Sequence, residues 1–183
     1  AIFLTHAMRF LGISKSLLDY IKKKNILLIE DVCESHGIHL KGKKGGALGE
    51  ISNFSFYYAH HITTIEGGMI STNSKQIDIL AKMKRGHGLL RDSQDSKLIK
   101  KTKSMYKDLN SDFIFLTEGF NFRSNELSAV IGLEQIKRLN RNIKIRNVNH
   151  KLFLKNLRKD VFISDFNLSG SSNYGLHLIM KEK

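Results

Sequence analysis

Three short segments carry the residue types that could do chemistry. The first is Ile29-Glu30-Asp31-Val32-Cys33-Glu34-Ser35-His36-Gly37. Asp31 stands at the carboxyl end of an apolar, strand-like run, where open α/β sheets hold their ligands. A carboxylate there can pair with a cationic ring nitrogen or a metal. It can also be a plain loop or cap aspartate. The second runs from Phe54-Ser55-Phe56 through Tyr57, Tyr58 and Ala59 to His60-His61, then to Thr63-Thr64-Ile65-Glu66-Gly67-Gly68. Ser55 offers a hydroxyl to a phosphate, and the tyrosines offer flat faces. Adjacent histidines at a strand end could be a base, metal ligands or ordinary polar residues. No second spaced His/Cys pair exists, so a zinc site is not expected. The third is Glu118-Gly119-Phe120-Asn121-Phe122-Arg123-Ser124-Asn125-Glu126. By itself it reads as a loop whose Ser124 or Asn125 caps a helix.

The elements that must position these segments follow from periodicity. Residues 2–5 predict a short buried strand. Leu17, Leu18 and Ile21 share a helical spacing that predicts a helix over 14–24, with Ser14 as N-cap. Residues 26–29 (Ile-Leu-Leu-Ile) predict a parallel strand buried on both faces. A β-α-β opening favours an α/β sheet. Gly42, Gly45, Gly46 and Gly49 mark a loop. Residues 51–57 and 69–72 read as strands, and Ser74 could cap a helix through Ile77, Leu80, Ala81 and Met83. Residues 85–112 read as polar and irregular. A helix is expected over 126–139 and a second, basic one to about Leu157. The tail from Val161 holds two short strand signals around Ser169-Gly170-Ser171-Ser172, and no repeat of fixed period is visible.

Composition bounds the rest. The 183 residues include 30 Lys+Arg against 17 Asp+Glu, with 41% hydrophobic and 26% charged content. That is a globular composition, neither disordered nor collagen-like. No apolar run approaches the ~18 residues of a membrane helix. The start AIFLTHAMRF lacks a basic region before its apolar stretch and does not read as a signal peptide. A single cysteine, Cys33, excludes an intrachain disulfide framework and a four-cysteine cluster built from this chain alone. A reduced, cytoplasmic protein is the expectation. The net charge of +13 raises nucleic acid as a partner. However, the excess is mostly scattered lysine with no recognition-helix or finger pattern. A solvated lysine surface, or an anionic small-molecule partner, suits it better.

Taken in order, the pieces LIEDVCESHG, GEISNFSFYYAHHITTIEGGMIST, RGHG and EGFNFRSNELSAVIGLEQIKRLN resemble the DegT-type family of nucleotide-sugar aminotransferases over roughly residues 1–150. That family has the fold-type I pyridoxal-phosphate (PLP) architecture. The resemblance implies an α/β fold with a mostly parallel sheet. It also implies a fragment: residues 1–139 as the C-terminal half of the cofactor-binding large domain, and 140–183 as a linking helix and the start of a small C-terminal domain. Such a fragment alone is expected to be inactive. Asp31 matches the family aspartate that pairs with the pyridine nitrogen and keeps it protonated, so that the ring acts as an electron sink. Ser55 matches the serine that binds the cofactor phosphate. Asn121 matches an asparagine that reaches the phosphate of a neighbouring subunit, which implies a homodimer. Arg123 lies in the same motif, as a secondary or substrate residue.

One departure from the family is informative. Where its aminotransferases have the lysine that forms a Schiff base with the cofactor, this chain has His60, and imidazole cannot form that bond stably. The segment resembles instead the branch of sugar 3-dehydratases, which use pyridoxamine phosphate (PMP) with histidine as the base. Glu34 fits the subgroup of that branch acting in colitose synthesis and counts among the cofactor-binding residues. His61 falls where the family commonly has asparagine, which implies a hydrogen-bonding role. The implied substrate is a GDP- or CDP-linked 4-keto-6-deoxyhexose of 3,6-dideoxysugar and polysaccharide biosynthesis, with glutamate as amino donor. Three of the cysteines of the iron–sulfur branch are absent, so no iron–sulfur cluster and no metal is expected. The runners-up are an aminotransferase-like protein with altered or lost activity, and a non-catalytic binding protein.

Overall fold

Four strands form the main sheet, in the order β1-β2-β5-β6. In a computed structural model that describes residues 1–182, β1 (Ile2–Thr5) pairs in parallel with β2 (Leu28–Asp31), Ile2 opposite Leu28. On its other side β2 pairs in parallel with β5 (Ile51–Ser55), with Asp31 opposite Asn53. β6 spans Gly68–Thr72. Between β1 and β2 lies helix α1 (Lys15–Lys23), where the Ser14 hydroxyl accepts the Leu17 amide at 3.1 Å as an N-cap. Leu18 and Ile21 of α1 are buried with Ile13, Leu28 and Leu48 in the core beneath the sheet.

β2 begins two residues later than the apolar run suggests. Asn25 takes a left-handed φ of 50°, and the Ile26 amide bonds back to the Ile21 carbonyl at 3.0 Å. Ile26 is thus spent on closing the helix, and the strand reaches on to Glu30 and Asp31. β5 likewise ends at Ser55 rather than Tyr57. The glycine-rich loop contains a small hairpin, β3 (His39–Leu40) against β4 (Lys43–Lys44). Its turn residues Lys41 and Gly42 have φ of 48° and 85°, the two positive values that a two-residue hairpin of this hand needs.

The chain divides into two compact units: Ala1–Ser71 with everything from Glu126 onward, and Thr72–Asn125. In the second unit, α2 (Lys75–Arg85) is capped by Ser74 as expected, its hydroxyl accepting the Ile77 amide at 3.4 Å. The stretch expected to be irregular holds α3 (Ser96–Met105), capped by Asp95, and two 3-10 turns, Leu90–Ser93 and Ser111–Phe113. Back in the first unit, the two helices expected after Glu126 are one continuous 31-residue helix, α4 (Glu126–Asn156). No proline interrupts it, Asn140 and Asn142 are poor helix formers rather than breakers, and Arg141 between them is a good one. Residues 139 and 140, the expected domain boundary, lie inside it. The tail strands reduce to one antiparallel bridge, Phe162 with Met180. Among the described residues no helix is long and apolar enough to cross a membrane.

Candidate active site

β2 and β5 run side by side and in parallel, so their carboxyl ends open on the same edge of the sheet. Asp31 ends one and Ser55 ends the other, two residues past the Asn53 that faces Asp31. Asp31 Oδ1 accepts from the Cys33 amide at 3.1 Å and from Asn53 Nδ2 at 3.0 Å. Oδ2 receives a 3.5 Å contact from the Thr5 hydroxyl, and the Cys33 side chain also donates to the carboxylate. Burial raises the Asp31 pKa, but the hydrogen bonds from Cys33, Asn53 and Thr5 outweigh it and hold the carboxyl below its ordinary value. The Cys33 thiol, half-buried and beside that carboxylate, is pushed up to about 12 by desolvation and by Asp31, and stays protonated. Glu34 Oε2 accepts the Met8 amide at 2.9 Å. Ser55 Oγ accepts the Tyr57 amide at 3.2 Å, which leaves its proton free to donate.

The histidine pair follows Ser55 in the loop after β5. His61 is buried, and its Nε2 lies 3.4 Å from the Ser172 carbonyl, so Nε2 carries the proton. His60 Nδ1, like His61 Nδ1, is buried with no hydrogen-bond partner among the described residues. Its ring lies 5.5 Å from that of Tyr57 and 5.6 Å from that of Tyr174, both edge-on. Beside the pair sits His36, 4% exposed, its ring 5.7 Å from His61 and close to Phe54 and Phe56. Burial lowers the pKa of His36 to about 4, with the neighbouring His60 adding to the shift. Burial, then Arg146 and His36, does the same to His61. Both are neutral imidazoles at neutral pH.

In the second unit, the RGHG and EGFNFR motifs pack on each other. Gly86 bridges Asn121 in antiparallel fashion, the His87 amide donates to the Phe120 carbonyl at 2.8 Å, and the Phe122 amide donates to the Arg85 carbonyl at 3.0 Å. Gly88, at φ 83°, is required: a Cβ there would lie 1.7 Å from the Thr117 carbonyl oxygen. Arg123 Nη2 pairs with Asp92 Oδ2 at 3.1 Å, and Asn121 is exposed. Asp31, Glu34, Ser55, His60 and His61 lie in the first unit, and Asn121 and Arg123 belong to the second. Three neighbours have no signal near the motifs: Arg146, Ser172 and Tyr174; His36 lies in the first motif, where nothing foretells its packing against His61. Asn53 does have one, an amide side chain in register with a strand-end aspartate.

Solved structures define the class. An Escherichia coli GDP-4-keto-6-deoxy-D-mannose-3-dehydratase with bound hydrated PLP aligns with a TM-score of 0.85 at 29% identity, over 99% of this chain and 46% of that one. The architecture is that of the fold-type I PLP enzymes. The chain belongs to the DegT/DnrJ/EryC1/StrS aminotransferase family, which it matches over residues 1–181. A GDP-4-keto-6-deoxy-D-mannose 3-dehydratase of Yersinia pseudotuberculosis is 34% identical over 160 residues, 87% of this chain and 40% of that protein. A GDP-perosamine synthase of Caulobacter vibrioides is 34% identical over 130 residues, 71% of this chain and 30% of that protein. The chain thus spans about two fifths of the length of the dehydratases it matches.

Proposed function

We propose that the intact gene product removes the C3 hydroxyl of a nucleotide-linked 4-keto-6-deoxyhexose, with PMP as cofactor. One observation carries this reading: an imidazole with an unpartnered, buried Nδ1 occupies the segment where an aminotransferase of the family needs a lysine. GDP is the favoured nucleotide, because the dehydratases at 34% identity are named for GDP sugars.

The residues fit an aminated pyridine cofactor. Asp31 is held ionised by its hydrogen-bond donors, so it can pair with a protonated ring nitrogen. Ser55 keeps a hydroxyl proton to donate to a phosphate oxygen. Glu34, fixed at Oε2 by the Met8 amide, completes the set on the β2 side. When bound, the cofactor supplies an electron sink that lets the sugar hydroxyl leave. Asp31 holds the proton on the ring nitrogen. His60 takes the proton from the cofactor's C4′ carbon; no neighbour locks its Nδ1 as donor or acceptor, so that atom is free to accept it. His61, whose Nε2 proton goes to the Ser172 carbonyl, orients its neighbour in this reading. Asn121 reaches the cofactor phosphate of a second subunit, and Arg123, tied to Asp92, supports that segment. Glutamate is the amino donor in the same reading. A cytoplasmic homodimer, divided near residue 139 into cofactor domain and linking helix, belongs to the same reading.

The GDP-perosamine synthase relative favours a second reading, a sugar aminotransferase. The lack of lysine at residues 60 and 61 opposes it. The deciding experiment supplies the intact protein with PMP, glutamate and GDP-4-keto-6-deoxymannose, and follows the sugar by mass. Loss of the C3 oxygen is expected. A 4-amino sugar that keeps this oxygen would overturn the proposal.

A further inference from the structure

The tail of the chain returns to the histidine pair. Asn147 of α4 donates through Nδ2 to the Ser171 carbonyl at 3.2 Å, and its Oδ1 accepts from Asn173 Nδ2. The Ser172 carbonyl sits 3.4 Å from His61 Nε2. Ser171, Ser172 and Asn173 are each at most 5% exposed, so this stretch is seated firmly. The next residue is Tyr174. Its ring centroid lies 5.6 Å from that of His60 at an interplanar angle of 70°, and 5.7 Å from that of His61 at 36°. Tyr57 meets His60 at 5.5 Å and 72°. The imidazole assigned as the base therefore has two tyrosine rings set edge-on to it. One comes from its own loop and one from the far end of the sequence. Edge-to-face contact of this kind has a preferred geometry and restrains the ring's orientation.

We infer that Tyr174 is a positioning residue for His60: its ring fixes the imidazole plane from which the proton is transferred. The inference rests on His60 being the base. Displacing a reacting group by an ångström costs about 10²-fold in rate. That is the scale of loss expected when the ring is removed. The aromatic face does this work, so the phenol hydroxyl is dispensable.

The test uses the intact gene product loaded with PMP. Tyr174→Phe is expected to deoxygenate the sugar at close to the parent rate. Tyr174→Ala should lose about 10²-fold in kcat, with KM for the sugar and the spectrum of bound PMP unchanged. Tyr174→Leu keeps bulk without an aromatic face. It should lose a similar amount, and it serves if the alanine variant fails to fold. A double-mutant cycle separates positioning from general structural damage. In a His60→Asn background, Tyr174→Leu should cause no further loss. Parent-level activity in Tyr174→Leu overturns the inference, and so does an equal loss in both backgrounds. A His60→Asn single variant that deoxygenates at the parent rate overturns the base assignment itself, and the positioning role with it.

Discussion

His60 and His61 are adjacent in sequence, but different contacts hold them. Each has a buried Nδ1 without a partner among the described residues, but His61 is anchored through Nε2 to a carbonyl and His60 is set between two tyrosine rings. The difference predicts opposite mutational behaviour. His60→Asn in the intact protein should still bind PMP through Asp31 and Ser55, and should lose deoxygenation by on the order of 10²–10⁴-fold. His61→Gln should cost far less, because its amide reaches about as far as Nε2 and can still donate to Ser172. Steady-state rates on a 4-keto-6-deoxy sugar check both; the reverse ranking would sink the assignment. The neutral imidazoles of His36 and His61 also set an acid limit. Each pKa falls from 6.5 to about 4 on folding, so between those values the unfolded chain binds the extra protons. The stability these neutral forms contribute is complete above about pH 6.5 and is lost as pH falls through about 4, on the order of 3 kcal/mol for each histidine. Melting temperature followed from about pH 7 to pH 4.5 should drop, and His36→Gln should remove about half of the drop. Asp31, Ser55 and His60 are legible in the sequence because they fall in ordered local motifs. Arg146 and Tyr174 are not, because long-range packing alone brings them to the pair; His36 lies in the first motif, but its place beside the pair is likewise set by packing.

At the scale of elements, the site edge is held by a residue one position before Asp31. Glu30 is fully buried and accepts from His6 Nε2 at 3.0 Å, Gly46 N at 2.9 Å, and Leu48 N and Gly49 N at 2.7 Å each. His6 Nδ1 accepts the Gly12 amide at 3.0 Å, so its proton is on Nε2, and the pair is a neutral imidazole donating to a carboxylate. Burial raises the Glu30 pKa, but these four donors outweigh it and leave it below 4.5. Glu30 thereby ties β1, β2 and the loop before β5 together. Glu30→Ala would strand three amides and an imidazole N–H, and should destabilise by roughly 3–5 kcal/mol. Ser14→Ala, which removes only the cap of α1, should cost about 1 kcal/mol. Urea denaturation of both variants checks the contrast, and equal effects would refute it. The elements themselves are unevenly legible. The cap and apolar spacing of α1 announce it, but α3 is masked by Lys97, Lys100, Lys101 and Lys103, whose solvated charges hide Leu98 and Ile99. α4 reads as two helices because its apolar spacing is interrupted after Leu139, and helix propensity carries the backbone through the gap.

For the whole molecule, the exposed apolar surface matters more than the charge of +13. On α4, Leu127, Val130, Leu133 and Ile136 recur every third residue and are 57–78% exposed. In the second unit, Phe120 and Phe122 flank Asn121, stacked at 4.9 Å and 58% and 71% exposed. Proteins in water seldom leave such groups uncovered. A second copy covering the phenylalanines would carry Asn121 to its neighbour's cofactor phosphate, and a two-fold dimer is the commonest closed solution. Subunit mixing tests this directly. Asn121→Ala and His60→Asn variants of the intact protein should each be nearly inactive alone. In a mixed dimer with shared sites, one site collects both defects and the other collects neither. If subunits exchange at random, half the dimers are mixed and half of their sites are intact, so about a quarter of parental activity should return. If Asn121 serves the cofactor of its own subunit, every site in the mixed dimer keeps one defect. No activity then returns on mixing, and the composite site is refuted.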